Sequence, residues 1–312
     1  MADRILSPED IPKSLWNGDN LLYLPPALRD VYLETLMSRD KLEEACKDSP
    51  SGSIGGETQE ETDLHFVHSF DGSCARVELA VLDPKDELKN ASDFFIQAFS
   101  GGRVRLLDIP CGCGAASAAL LTTVSELRRQ NVLPREPLDV IVTGGDKSDP
   151  ARNYAEFILG ELKESLRNQG IFVSVSLHPW DLMDAASTTT LLDQWLSSQD
   201  CDKFFLLIAN FSGILGDERK IKRAKERLGE LIRWTGARKS TIAWIEPQTR
   251  KARRMSVNEV LGRVFDFLRN WSYEPTDPSD ELTSKALYAH PVCKDKIHRV
   301  RLLLYRMEGP KR

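Results

Sequence analysis

The chain has 312 residues, a net charge of −5 at pH 7, 41% hydrophobic and 29% charged residues, which is ordinary for a soluble globular protein and excludes a disordered chain. No apolar run reaches the roughly 18–20 residues needed to span a bilayer, and the opening M-A-D-R-I-L-S-P-E-D lacks the apolar core of a signal peptide, so a cytoplasmic protein without membrane contact is expected. The length suits one large domain, or a domain with an appendage.

Residues 1–100 read differently from the rest. Pro25 and Pro26 suit a helix start, and Ala27, Leu28, Val31, Tyr32 and Leu36 recur at helical spacing, predicting a helix to about Cys46. Residues 49–62, S-P-S-G-S-I-G-G-E-T-Q-E-E-T, are small, polar and without periodicity, which predicts a mobile linker. Leu64 to Phe70 and Ala75 to Leu82 are strand-like runs around Asp71-Gly72-Ser73 and predict a hairpin. Phe94, Phe95, Ala98 and Phe99 mark one face of a further helix.

Val104 to Gly114 reads V-R-L-L-D-I-P-C-G-C-G and runs into alanine-rich residues 115–121. The pattern predicts a buried strand, a tight turn and a helix start, where Gly112 and Gly114 let a ligand lie against backbone N–H groups. The six cysteines, Cys46, Cys74, Cys111, Cys113, Cys201 and Cys293, are scattered, with no C-x-x-C pair and no histidine at metal-finger spacing, so no metal site is expected. Cys111 and Cys113 stand where a tight turn needs small residues in any case, and nothing near them in sequence would lower a thiol pKa.

From 104 onward strands and helices alternate, predicting a parallel sheet covered on both faces. Leu138 to Val142 is the second strand, followed by a helix with Ala151, Tyr154, Ala155, Ile158, Leu162 and Leu166 on one side. Ile171 to Leu177 alternates as a third strand. Phe204 to Ala209 is a continuous apolar run, as in a central strand buried on both faces. Thr241 to Ile245 is a fifth strand, an amphipathic helix follows over Val257 to Leu268, and Ala286 to His290 with Arg299 to Met307 forms a terminal pair.

The turn D-x-x-C-G-x-G, with Asp108 four residues before Gly112, resembles the first motif of class I S-adenosylmethionine-dependent methyltransferases. The usual form has glycine where this chain has Pro110, which stiffens the turn and removes one N–H. A dinucleotide fingerprint G-x-G-x-x-G/A fits less well, because Ser117 stands at its third small position. Five parallel strands plus a terminal pair is also the count of the methyltransferase sheet, whose last strand runs antiparallel. The resemblance implies an α/β fold over 101–312, a seven-stranded, doubly wound, mostly parallel sheet, carrying an N-terminal helical and hairpin appendage over 1–100.

It also implies S-adenosylmethionine as cofactor and S-adenosylhomocysteine as product. The implied cofactor contacts are Asp108, Pro110, Cys111, Gly112 and Gly114 in the turn, and Asp146 with Lys147 after the second strand, where the family keeps an acid for the two ribose hydroxyls. Asp181 and Leu182 after the third strand fall where the family binds adenine. Asn210 and Phe211 at the end of the fourth strand fall where it faces the transferring methyl. An ionised carboxylate such as Asp146 accepts without donating, the complement of a cis-diol; the competing reading makes Asp146 a turn residue before a helix starting at Asp149-Pro150. Trp180 either stacks near the base or packs, and Asn210 either contacts ligand or caps the next helix.

The acceptor is not specified by these motifs. Asn210-Phe211-Ser212-Gly213 departs from the N/D-P-P-Y/F pattern of base amino-methylating relatives, which points to a small-molecule or protein acceptor, and the acidity of the chain as a whole favours a small molecule. Residues 217–254 hold thirteen Lys or Arg against five Asp or Glu in a chain of net −5, which leaves open RNA or protein methylation, with Arg250, Lys251, Arg253 and Arg254 as polyanion contacts. The bland reading of the basic helix over Glu218 to Thr235 is a solvated face opposite Ile221, Ala224, Leu228, Leu231 and Ile232. A methyltransferase fold that binds without catalysing is the third reading. No residue is assigned as catalytic: in-line placement supplies much of the rate, a base is needed only for a protonated acceptor, and Glu246 after the fifth strand reads as structural.

Overall fold

The computed structural model describes residues 4–50, 56–197, 201–211, 218–236, 240–248, 274–275, 282–293 and 295–308. The N-terminal part contains a two-residue strand β1 (Leu21–Leu22) and helices α1 (Pro26–Ser38), α2 (Leu42–Ala45), α3 (Gln59–Leu82) and α4 (Ala91–Phe99). Then come β2 (Gly102–Ile109), α5 (Ala115–Arg129), β3 (Leu138–Asp146), α6 (Asp149–Glu161), α7 (Lys163–Arg167), β4 (Ile171–Pro179), α8 (Ala185–Leu196), β5 (Lys203–Ala209), α9 (Glu218–Gly236), β6 (Ser240–Pro247), β7 (Glu274–Pro275), β8 (Leu282–Ala289) and β9 (Ile297–Glu308). The predicted helix over 257–268 lies outside the described residues.

The strands form one sheet in the order β1-β8-β9-β6-β5-β2-β3-β4, with β7 paired to β9. Strands β2 to β6 are mutually parallel, while β9 runs antiparallel to both β6 and β8. This is the expected seven-stranded pattern, extended by β1 alongside β8 and by β7. Alternation along the central strands feeds two apolar layers. Val104, Leu106, Phe205, Leu207, Ala243 and Ile245 face the layer built with α3, α4, α5 and α6. Leu107, Ile109, Phe204, Leu206, Ile208, Ile242 and Trp244 face α8 and α9.

The predicted hairpin over 64–82 is instead part of one 24-residue helix, α3. Thr58 and Glu61 form a reciprocal capping box: Thr58 Oγ1 accepts the Glu61 N–H at 3.2 Å, and Glu61 Oε2 accepts the Thr58 N–H at 3.1 Å. Phe66, Phe70, Cys74, Val77 and Val81 are buried at three- and four-residue spacing, a helical period that outweighs the turn signal of Asp71-Gly72-Ser73. Of the predicted linker, 51–55 lies outside the described residues, and from Gln59 the chain is helical. The helix expected to run to Cys46 is interrupted after Ser38, with Asp40 in the left-handed region at φ 55°.

Sequence reading also missed a disulfide. Cys46 and Cys293 are bonded with their Cα atoms 5.8 Å apart, joining the end of α2 to the turn between β8 and β9. No spacing rule pairs cysteines 247 residues apart. Among the described residues no helix is long and apolar enough to cross a membrane.

Candidate cofactor-binding site

The sequence order of the strands reverses at β2, whose neighbours are β3 and β5, and a ligand crevice is expected outside the C-terminal ends of the strands there. A cleft of about 470 Å³ lies at that place. Its floor is the turn after β2, with Pro110, Cys111, Gly112 and Cys113 on the wall. Gly112 has φ 49°, and Gly114, at φ 82°, precedes α5. A Cβ on Gly114 would come within 3.1 Å of the Ala155 backbone, so glycine there permits α5 to seat against α6.

Asp108 lies beneath this floor, only 1% exposed. Its Oδ2 accepts the Ser117 hydroxyl at 2.6 Å and the Ser117 N–H at 3.2 Å, whereas Oδ1 is buried with no partner among the described residues. Burial pushes its pKa up to about 7, against the opposing pull of the two Ser117 bonds. Asp108 therefore braces the turn from below rather than standing on the cleft wall. Burial also holds the Cys111 and Cys113 thiols well above their ordinary range, which leaves them protonated and weakly nucleophilic.

Asp146, at the end of β3, forms the lip of the cleft. Its Oδ2 accepts the Gly112 N–H at 2.9 Å and its Oδ1 the Ser148 N–H at 2.9 Å, so the side chain ties the glycine turn to the entry of α6. Ser148 caps that helix through its own hydroxyl. Each carboxylate oxygen keeps a second acceptor site. Burial raises the Asp146 pKa, and the hydrogen bonds from the backbone N–H groups oppose that rise. Exposed Lys147 bridges Glu57 at 2.8 Å and Asp181 at 3.4 Å, linking the loop before α3 to the ends of β3 and β4.

Asp181 and Leu182 stand together on the same wall. Asp181 Oδ1 accepts the Met183 N–H at 2.8 Å, and Leu182 is buried. Trp180 is 2% exposed and donates from Nε1 to Thr188 Oγ1 at 3.1 Å; it packs in the layer beneath α8. His178 is bonded through its ring to Ser176 Oγ. At the end of β5, Asn210 reaches the cleft with φ 56°, while Phe211 is fully buried against Trp180 and Trp244. The Phe211 N–H donates to Glu246 Oε1 at 2.8 Å, which also accepts Trp244 Nε1 at 2.6 Å. Glu246 is thus consumed in holding the β5 and β6 ends.

The structure gathers Pro110, Cys111, Gly112, Asp146, Lys147, Asp181, Leu182 and Asn210 around one cleft, and sets Asp108, Gly114 and Phe211 behind it. Sequence reading missed the opposite wall. Thr62, His65, Phe70 and Ser73 of α3 line it, together with Gly56 and Glu57. The signal was present as a polar stripe, His65, Ser69, Ser73 and Arg76, which becomes visible only once the segment is read as a helix.

Five parallel strands, an antiparallel strand inserted beside the last of them, and a cleft over a glycine turn at the switch point now stand together. This is the strand pattern that the class I methyltransferase resemblance implies. No family model matches the sequence, and no curated protein matches it. Among solved structures the chain is similar to the precorrin-6y C5,15-methyltransferase of Geobacter metallireducens GS-15, at 12% identity over 72% of this chain and 93% of that one, with a TM-score of 0.32. It is also similar to the rRNA methyltransferase aviRa of Streptomyces viridochromogenes, at 14% identity over 74% and 84% of the two chains, with a TM-score of 0.33.

Proposed function

We propose that the protein is an S-adenosylmethionine-dependent methyltransferase acting on a small molecule. The observation that supports this most is the lip of the cleft, where Asp146 is held by the glycine turn through the Gly112 N–H and retains acceptor capacity for a cis-diol. Asp181 offers an acceptor, and Leu182 an apolar surface, at the far end of the same wall, suited to an amino-bearing aromatic base. When bound, the cofactor would supply an electrophilic methyl group on a positively charged sulfur. The chain's part is then to hold the two reactants in line and to keep water out, which orientation alone can make effective.

Calorimetry with S-adenosylhomocysteine tests the reading; absence of binding at millimolar ligand would overturn it. Asp146→Ala should weaken that binding by about 1.5–3 kcal/mol, the scale of hydrogen bonds to a charged group. NAD should produce no thermal shift, since Ser117 does not close a pyrophosphate turn as a third small residue would.

A second reading, methylation of a polyanion, is favoured by one observation: Lys220 of the basic helix α9 stands on the cleft wall. Against it, α9 neutralises part of its own charge through Arg223–Glu226 at 2.8 Å and Arg227–Glu230 at 3.5 Å, as a solvated face does. Arg250, Lys251, Arg253 and Arg254 lie outside the described residues.

A further inference from the structure

We propose that His65 is the base that takes the acceptor's proton, and that the acceptor is accordingly a hydroxyl or N–H acid rather than a nucleophile already deprotonated. This rests on the methyltransferase reading of the cleft. The path of α3 supplies the geometry. Near its start, Thr62 Oγ1 lies 3.3 Å from Ser148 Oγ beside the end of β3, and further along Arg76 bonds Asn210 at the end of β5. Between them Cys74 Sγ reaches the Ala115 carbonyl at 3.6 Å, directly above the start of α5. The helix therefore crosses the mouth of the cleft from the side of Asp146 to the side of Asn210, and His65 stands on that crossing, on the cleft wall.

The other histidines are occupied or lie elsewhere. The His178 ring is bonded to Ser176. His290 Nδ1 accepts the N–H groups of Val292 and Cys293. His298 lies against Tyr288 and His290. His68 is not on the cleft wall. The His65 ring is half-buried and, among the described residues, enters no hydrogen bond or ion pair. Burial first, and the Arg76 charge second, push its pKa below the ordinary value, so at pH 7 the ring is neutral and one nitrogen carries a free lone pair.

The remaining titratable groups on the wall are less suited. Glu57 and Asp181 are paired with Lys147, Asp146 is held by two N–H groups, Cys111 and Cys113 are protonated thiols, and Lys220 is a cation. In the step itself the acceptor's X–H bond breaks and its proton passes to a His65 ring nitrogen. The acceptor's electron pair forms the new bond to the methyl carbon, while the carbon–sulfur bond breaks and leaves its pair on the now neutral sulfur. The imidazolium then returns its proton to solvent.

The test needs no identified acceptor. The five histidine rings are titrated by NMR in the full chain, free and saturated in turn with S-adenosylhomocysteine and S-adenosylmethionine, with His65 assigned from the signal lost in His65→Gln. Only the second ligand carries a charge at sulfur. A base placed at the methyl end should therefore bind its proton about three- to tenfold more weakly in the S-adenosylmethionine complex than in the S-adenosylhomocysteine complex, with His178 and His298 unchanged. Failure of S-adenosylhomocysteine to bind the parent would remove the methyltransferase reading and this inference with it. Binding of both ligands with the same His65 titration in each would overturn the inference alone.

Discussion

Arg76 Nε donates to Asn210 Oδ1 at 2.9 Å, so a helix from the N-terminal hundred residues holds the residue that follows the central strand β5. Arg76 Nη2 also donates to Ser73 Oγ at 3.1 Å, which fixes the guanidinium against its own helix. Asn210 sits at φ 56°, a conformation that asparagine tolerates better than most residues. A double-mutant cycle isolates the bond: Arg76→Met and Asn210→Gly, the latter chosen to keep the backbone conformation, should show a coupling of about 1–2 kcal/mol in urea unfolding. Additive effects would mean that the contact does not tie α3 to β5.

Asp108 makes a pH-dependent prediction of definite sign. In the unfolded chain its carboxyl ionises near its ordinary value of 3.8, whereas in the folded chain burial holds it to about 7. Between those values the folded state binds more protons, so this group lowers stability as pH rises from about 4 to about 7. Asp108→Asn keeps an acceptor for Ser117 and removes the ionisation. Relative to the parent, the variant should gain stability across that window by up to about 4 kcal/mol, at about 1.4 kcal/mol per pH unit. A constant difference between the two unfolding curves from pH 4 to pH 7 would show that Asp108 titrates normally in the folded protein.

The sheet was legible because its strands carry the signal locally. β5 is apolar without interruption from Phe204 to Ala209, β2 carries Val104, Leu106, Leu107 and Ile109, and the glycine turn joins a strand to a helix within one short stretch. Asp146 and Asp181 could be placed because they follow strands whose ends converge by topology alone. The α3 wall was hidden by the opposite circumstance. Asp71-Gly72-Ser73 imitates a hairpin turn, and only the capping box of Thr58 and Glu61, several residues upstream, argues for a helix running through it. Gly72 is retained where a Cβ would stand 3.2 Å from the Tyr288 hydroxyl, a tertiary constraint with no local trace. The Cys46–Cys293 bond depends in the same way on α2 and the β8–β9 turn meeting in space.

Glu78 on α3 is fully buried, and among the described residues neither carboxylate oxygen has a partner. Burial raises its pKa well above the ordinary 4.5, so the folded chain holds it protonated while the unfolded chain ionises it. Each step in pH above about 4.5 therefore favours the unfolded state until the folded carboxyl also ionises. Glu78→Met preserves length and removes the unpaired polar group. It should be more stable than the parent by about 1–3 kcal/mol at neutral pH, with the gap wider at pH 8 than at pH 5. A less stable variant, or a gap independent of pH, would mean that Glu78 has a compensating partner.

The choice between a small-molecule and a polyanionic acceptor turns on counterion release. A protein that neutralises several phosphates loses affinity steeply with salt, whereas a basic face that only solvates a helix does not. The charges of α9 are partly spent on Glu226 and Glu230, and the chain as a whole carries −5. Filter binding of a single-stranded RNA oligonucleotide at 50 and 200 mM salt should accordingly show weak binding, little changed when Arg250, Lys251, Arg253 and Arg254 are all replaced by alanine. Tight binding at low salt that falls about a thousandfold between the two concentrations, with a slope flattened in the four-alanine variant, would instead place RNA on the basic segment and reverse the preference for a small molecule.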